Sequence, residues 1–124
     1  MVESQEAVPF TPHVQRSISH FMGEEQKDPN NSDTQFTPGS LQAAKRAAGA
    51  VVAAVDAVMS GEYRNAFCCV RPPGHHAGSA GLVDDAVSCG FCLYNNVAVG
   101  ALHALRERTD CRRVAIIDFD VHHG

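Results

Sequence analysis

Two stretches of this sequence gather residue types that do chemistry at neutral pH. One is Arg71-Pro72-Pro73-Gly74-His75-His76-Ala77, the other Asp118-Phe119-Asp120-Val121-His122-His123-Gly124. In an extended backbone side chains alternate, so Asp118, Asp120 and His122 can project to one side while Phe119 and Val121 project to the other. A carboxylate and an imidazole two residues apart form half of a metal site, suited to zinc or another divalent first-row ion. A catalytic site takes three protein ligands and keeps a position for water; a third ligand is not evident. Taken alone, an Asp-x-His triplet is more often a capped loop than a metal site. Two adjacent histidines, stiffened by the prolines before them and given close backbone approach by Gly74, can supply a base and an acid near neutral pH. Alone, such a pair is more often surface loop, because only its neighbours shift a histidine toward a catalytic pKa. Chance rarely produces both stretches in one chain, which favours function.

The elements around them must bring the two stretches together. Ala66-Phe67-Cys68-Cys69-Val70, halted by Pro72-Pro73, reads as a strand buried on both faces, and Val114-Ala115-Ile116-Ile117 as a second. Between them Asn95 or Asn96 can cap a helix over 97–108, with Ala98, Ala101, Leu102 and Leu105 on one stripe. Strand, long loop, helix and strand are the parts of a right-handed crossover in a parallel sheet. The fold class is therefore α/β. In such sheets the ligand crevice lies beyond the carboxyl ends of the strands, where both polar stretches begin. Upstream, Thr37-Pro38 starts and Gly61 ends a predicted long helix over 38–60. Its Ala- and Val-rich interior predicts burial on more than one side. Residues 1–37 are polar, with a loop expected at 28–33 and at most a turn of helix near 14–22.

The bulk properties bound the class. A chain of 124 residues holds one domain. The apolar share of 44% and charged share of 19% are those of a folded globular protein. A net charge of −4 and pI near 5.9, with no basic run longer than Arg112-Arg113, argue against direct nucleic-acid binding and suit basic protein tails as partners. No apolar run reaches the ~20 residues that cross a bilayer, and the first residues open no secretory signal. Five cysteines, including the adjacent Cys68-Cys69, fit a reducing compartment and read as free thiols. Cys68 and Cys69 are expected in the core.

Three segments, in order and spacing, resemble the histone deacetylase superfamily: 71–77; Cys89-Gly90-Phe91-Cys92-Leu93-Tyr94-Asn95-Asn96-Val97-Ala98; and 117–124. The resemblance extends over 33–124 and is most specific from 66 onward. It divides the chain into a poorly defined segment, 1–32, and a partial deacetylase domain, 33–124. It implies a three-layer α/β/α arrangement around a mainly parallel sheet, as in the arginase/deacetylase fold, only partly covered by this chain. It also implies that His75 and His76 are the tandem catalytic histidines and that Asp118 is a buried aspartate orienting His75. The Asp118 backbone would help bind a structural potassium ion. Asp120 and His122 would be two of three zinc ligands, and Gly90 and Phe91 would wall the channel that admits acetyl-lysine. The implied reaction is hydrolysis of the acetyl amide of N-ε-acetyl-lysine in histones or other proteins, releasing acetate. Zinc would polarise the carbonyl while a histidine takes a proton from water.

The short apolar runs and the lack of a secretory signal predict a nuclear or cytoplasmic protein with no membrane partner, and the resemblance adds the expectation of a chromatin regulator, with a corepressor complex among its candidate partners. The long loop 78–89 looks class II-like, and the chain reads as a fragment shortened at both ends: the first strand region usual in the family is not visible before residue 10, and the third ligand and the oxyanion-stabilising residue, usually tyrosine, lie downstream in the family. The 124 residues alone are expected to be inactive. Two alternatives remain: an acetylpolyamine amidohydrolase, which shares both histidine motifs, and a non-catalytic truncated binding protein. The Cys89-x-x-Cys92 pair is formally a redox or zinc-knuckle motif, but no second pair follows and it closes a long loop rather than opening a helix after a strand.

Overall fold

The computed structural model describes residues 34, 37–79, 81–82, 89–107 and 109–124, with 81 and 82 in backbone only. The loop expected at 28–33 and the helical turn near 14–22 lie outside them. Helix α1 spans Ser40–Met59 and α2 spans Asn96–Glu107. Between the helices, β1 (Ala77–Gly78) and β2 (Gly81–Leu82) form a short antiparallel hairpin.

Helix α1 starts two residues later than the sequence predicts. Thr37 does not cap it: the Thr37 amide donates to Ser40 Oγ at 2.8 Å, and the Ser40 amide returns to the Thr37 carbonyl at 3.0 Å. Pro38 and Gly39 therefore occupy a tight turn before the helix. The C-terminus follows expectation. Gly61 takes φ +80, its amide donating to the Val58 carbonyl while that of Tyr63 reaches Ala57, so a residue without a β-carbon closes the last turn.

The helices pack through small residues. Ala44, Ala47 and Ala48 are the buried positions of α1, and Asn96, Gly100 and Ala104 those of α2. A β-carbon on Gly100 would lie 2.5 Å from Val51 Cγ1, so the missing side chain lets the backbones approach. His103 and Asp56 add a cross-link, Nε2 to Oδ1 at 2.9 Å. This corrects two expectations. The α2 stripe of Ala98, Ala101, Leu102 and Leu105 is not the packed face: Leu102 and Leu105 are exposed. Much of α1 is likewise only half-buried, because a single helix covers it among the described residues.

The two expected strands differ most. Neither 66–70 nor 114–117 pairs with another strand among the described residues, and neither is buried: Phe67 is 92% exposed and Ile117 85%. A parallel strand takes its hydrogen bonds from neighbours on both sides. With no such neighbour among the described residues, the apolar side chains stay in solvent. Cys68 is half-buried, reaching the Ala50 carbonyl at 3.6 Å, and Cys69 is exposed, whereas Cys89 and Cys92 are the buried cysteines. All five thiols are free. No helix of the described residues is long and apolar enough to cross a membrane.

Candidate active site

The loop carrying His75 and His76 is fixed by the start of α2. Asn95 caps that helix, its Oδ1 accepting the Ala98 amide at 3.1 Å, while its Nδ2 donates to the Ala77 carbonyl at 3.3 Å. Buried Asn96 donates to the Pro72 carbonyl at 3.1 Å. Gly74 lies between these anchors, and a β-carbon there would collide with the Tyr94 carbonyl and the Asn96 amide. Two asparagines and one glycine thus clamp the turn on both sides of the histidines.

On the second stretch each aspartate folds back on its own backbone. Asp118 Oδ1 accepts the Asp120 amide at 3.0 Å, and Asp120 Oδ1 accepts the His122 amide at 2.8 Å. Short acidic side chains favour such local turns. Asp118 Oδ2 accepts from His75 Nδ1 at 2.8 Å, 43 residues away in sequence. An ionised carboxylate only accepts, so a proton sits on Nδ1 and the neutral ring keeps its lone pair on Nε2, the arrangement of a general base oriented by a carboxylate. The Asp120 amide and then the His75 ring hold the Asp118 carboxyl below its ordinary value, and the His122 amide does the same for Asp120. Asp118 is exposed rather than buried, because the run leading to it is unpaired among the described residues.

The other expected residues gather here. The His75 and His76 ring centroids are 4.1 Å apart, and His76 lies 6.1 Å from His122. His122 Nδ1 is 3.2 Å from Asp120 Oδ1. A β-carbon on Gly90 would collide with the His76 ring, so Gly90 places its backbone directly against that imidazole. Phe91 is exposed, with the Arg71 guanidinium 5.8 Å from its ring centroid. The Cys89-Gly90-Phe91-Cys92 segment is a tight turn closed by the Cys92 amide on the Cys89 carbonyl at 2.8 Å, with positive φ at both central residues, +50 and +65. For a bulky residue such as Phe91 that conformation costs about 1–3 kcal/mol and persists where the surroundings fix it.

Sequence reasoning gives Thr34 no role, yet its hydroxyl touches this turn; with Thr34 and Phe91 57 positions apart, no local pattern could signal the contact. It assigned Asn95 and Asn96 only to capping. Among the described residues no group of three or more His, Cys, Asp or Glu side chains could hold a metal ion. The Asp120 and His122 pair nonetheless fits one ion: donors 3.2 Å apart, each about 2.0–2.2 Å from zinc, subtend about 100°, near the tetrahedral angle.

The histone deacetylase domain profile matches residues 5–124. The chain is 53% identical over 97 residues to type-2 histone deacetylase 2 of Dictyostelium discoideum, covering 78% of this chain and 6% of that protein. It is 47% identical over 92 residues to a histone deacetylase-like amidohydrolase of Pseudomonas aeruginosa, covering 74% and 22%. It is 39% identical over 122 residues to polyamine deacetylase HDAC10 of Danio rerio, covering 98% and 16%. The chain thus spans less than a quarter of the length of these relatives. Three motifs in family order, a histidine oriented by an aspartate and a profile match over nearly the whole chain lead to one conclusion: this chain belongs to the histone deacetylase family, with its arginase/deacetylase-type α/β fold.

Proposed function

We propose that the protein carrying this chain is a zinc-dependent deacetylase that hydrolyses the acetyl amide of N-ε-acetyl-lysine in histones or other proteins and releases acetate. The observation that carries this reading is the His75–Asp118 hydrogen bond of 2.8 Å, beside a second histidine whose ring lies 6.1 Å from the His122 imidazole. Asp120 and His122 would hold the metal with a third ligand, and zinc bound there would supply Lewis-acid polarisation of the carbonyl and a more acidic water. His75, with its Nε2 lone pair, takes the proton of the attacking water, and His76 returns a proton to the departing lysine amine. Asp118 keeps His75 in the tautomer this requires and stabilises the imidazolium that forms. Phe91 and Gly90 line the channel for the lysine methylenes. The runs 66–70 and 114–117 become strands of the mainly parallel sheet in the three-layer arrangement. A potassium ion at the Asp118 backbone, a nuclear or cytoplasmic location, and partners among acetylated histone tails or a corepressor complex belong to the same proposal.

A second reading, deacetylation of acetylpolyamines, is favoured by the match of 98% of the chain to the polyamine deacetylase of Danio rerio. One experiment separates them. The transcript is read past the codon for Gly124, the full product is expressed, and acetate release is measured from an acetyl-lysine histone peptide and from an acetylated diamine, with and without a zinc chelator. Chelator-sensitive release from the peptide supports the proposal. Preference for the diamine supports the second reading, and no release from either points to a binding protein without catalysis.

A further inference from the structure

We infer that Thr34 is a positioning residue: its hydroxyl holds the Cys89-Gly90-Phe91-Cys92 turn in the left-handed conformation that sets the Phe91 ring. This rests on the reading of Phe91 as a wall of the acyl-lysine channel. The turn's own hydrogen bond, Cys92 amide to Cys89 carbonyl, closes the chain reversal but does not choose its hand, since turns of either hand close through the same bond. Phenylalanine does not choose it either, because a β-carbon disfavours positive φ. The choice has to come from outside the turn.

Thr34 supplies it. Its Oγ1 accepts the Phe91 amide at 2.9 Å and the Cys89 thiol at 3.1 Å. A hydroxyl oxygen has two lone pairs, and here two donors from the first and third residues of one turn meet them. Thr34 is 6% exposed, so water does not compete readily for the Phe91 amide. Reversing the peptide between Gly90 and Phe91 would carry that amide away from the oxygen and leave it in a part-buried site. The Arg71 guanidinium near the exposed face of Phe91 steadies the ring but does not fix the backbone. The hydroxyl therefore acts on substrate only through Phe91.

The test uses the full protein carrying this chain with four substitutions: Thr34→Val, which keeps the shape and removes the hydroxyl, Thr34→Ser, which keeps the hydroxyl, Phe91→Ala, and the Thr34→Val/Phe91→Ala double variant. Thr34→Val is expected to raise KM for an acetyl-lysine peptide about tenfold with kcat changed less than about threefold, the pattern of lost uniform binding. Thr34→Ser keeps the wild-type KM, and the double variant matches Phe91→Ala alone. Amide hydrogen exchange at Phe91 quickens about tenfold in Thr34→Val and not in Thr34→Ser, as loss of one buried acceptor requires. Should Thr34→Val not fold, Thr34→Ala removes the same hydroxyl and is held to the same expectations. The inference is overturned if Phe91 exchange is unchanged when the hydroxyl is removed, or if the effects of Thr34→Val and Phe91→Ala on KM multiply. If the wild-type protein releases no acetate, the deacetylase reading fails instead, and the exchange rates alone decide whether Thr34 holds the turn.

Discussion

Gly90 and Gly61 form a natural pair of probes, because both hold positive φ, +50 and +80, and only one of them touches the site. Alanine in that region costs about 1–2 kcal/mol for the backbone alone. At Gly61 the added methyl meets nothing within 4 Å, so that cost is the whole effect. At Gly90 the methyl lands on the His76 ring, 3.1 Å from Nε2 and 3.3 Å from Cγ, with Cδ2 nearer still. Carbon contacts settle near about 3.5–4.0 Å, so the imidazole or the turn must retreat by roughly 1 Å. A displacement of about 1 Å at a catalytic group costs on the order of 10²-fold in rate. On the proposed function, Gly90→Ala in the full protein is therefore expected to lower kcat for an acetyl-lysine peptide about 100-fold, while Gly61→Ala stays within about twofold; in urea unfolding Gly61→Ala loses about 1–2 kcal/mol and Gly90→Ala at least as much. The comparison cancels the backbone cost and leaves the His76 contact. A Gly90→Ala protein with kcat within about threefold of wild type would refute the reasoning, because His76 would then either not rest on Gly90 or take no part in the chemistry.

Asp118→Asn lets the amide present its own donor to His75 Nδ1, moves the ring proton to Nε2 and removes the base; kcat/KM measured across pH is expected to fall about 10²–10⁴-fold. Gly49→Ala, inside α1 with nothing within 4 Å of the new methyl, should stabilise the fold by about 1 kcal/mol, read as a higher urea midpoint at unchanged slope. Burial pushes the Cys92 thiol and the Tyr94 phenol above their ordinary 9.0 and 10.0. Their neutral forms then favour the folded state, with stability fully present below pH 9.0 and declining as pH rises beyond it, which urea unfolding at a series of alkaline pH values checks. Iodoacetamide should modify exposed Cys69 first and buried Cys89 and Cys92 last, as timed mass spectrometry would show.

What the sequence made legible follows from how local each interaction is. Gly61 ends α1 and Asn95 starts α2 where composition places them, because a cap depends on residues within one turn. Thr37 misleads for an equally local reason: Ser40 captures its amide and joins its hydroxyl at 3.2 Å, so the helix begins beyond it. The packed face of α2 was misread because periodicity weighs apolar size, and the contact with α1 selects small residues. Gly100 and Ala104 are buried where Leu102 and Leu105 are not, since closeness of backbones rather than bulk fills that interface.

The site divides along the same line. Asp118, Asp120 and His122 are linked by contacts two residues long, so their spacing announces them. His75 and Asp118 stand 43 residues apart, and only the argument that both stretches follow strands ending at one crevice could join them. The two stretches do meet, although the runs before them remain unpaired and exposed among the described residues. Among the described residues, the histidine loop in that pairing is held by Asn95 and Asn96, which bond the carbonyls of Ala77 and Pro72. Capping asparagines that also fix the histidine loop are invisible where each residue is assigned one task. Thr34 lies further out of reach, because a hydroxyl that accepts an amide 57 residues away leaves no pattern along the chain.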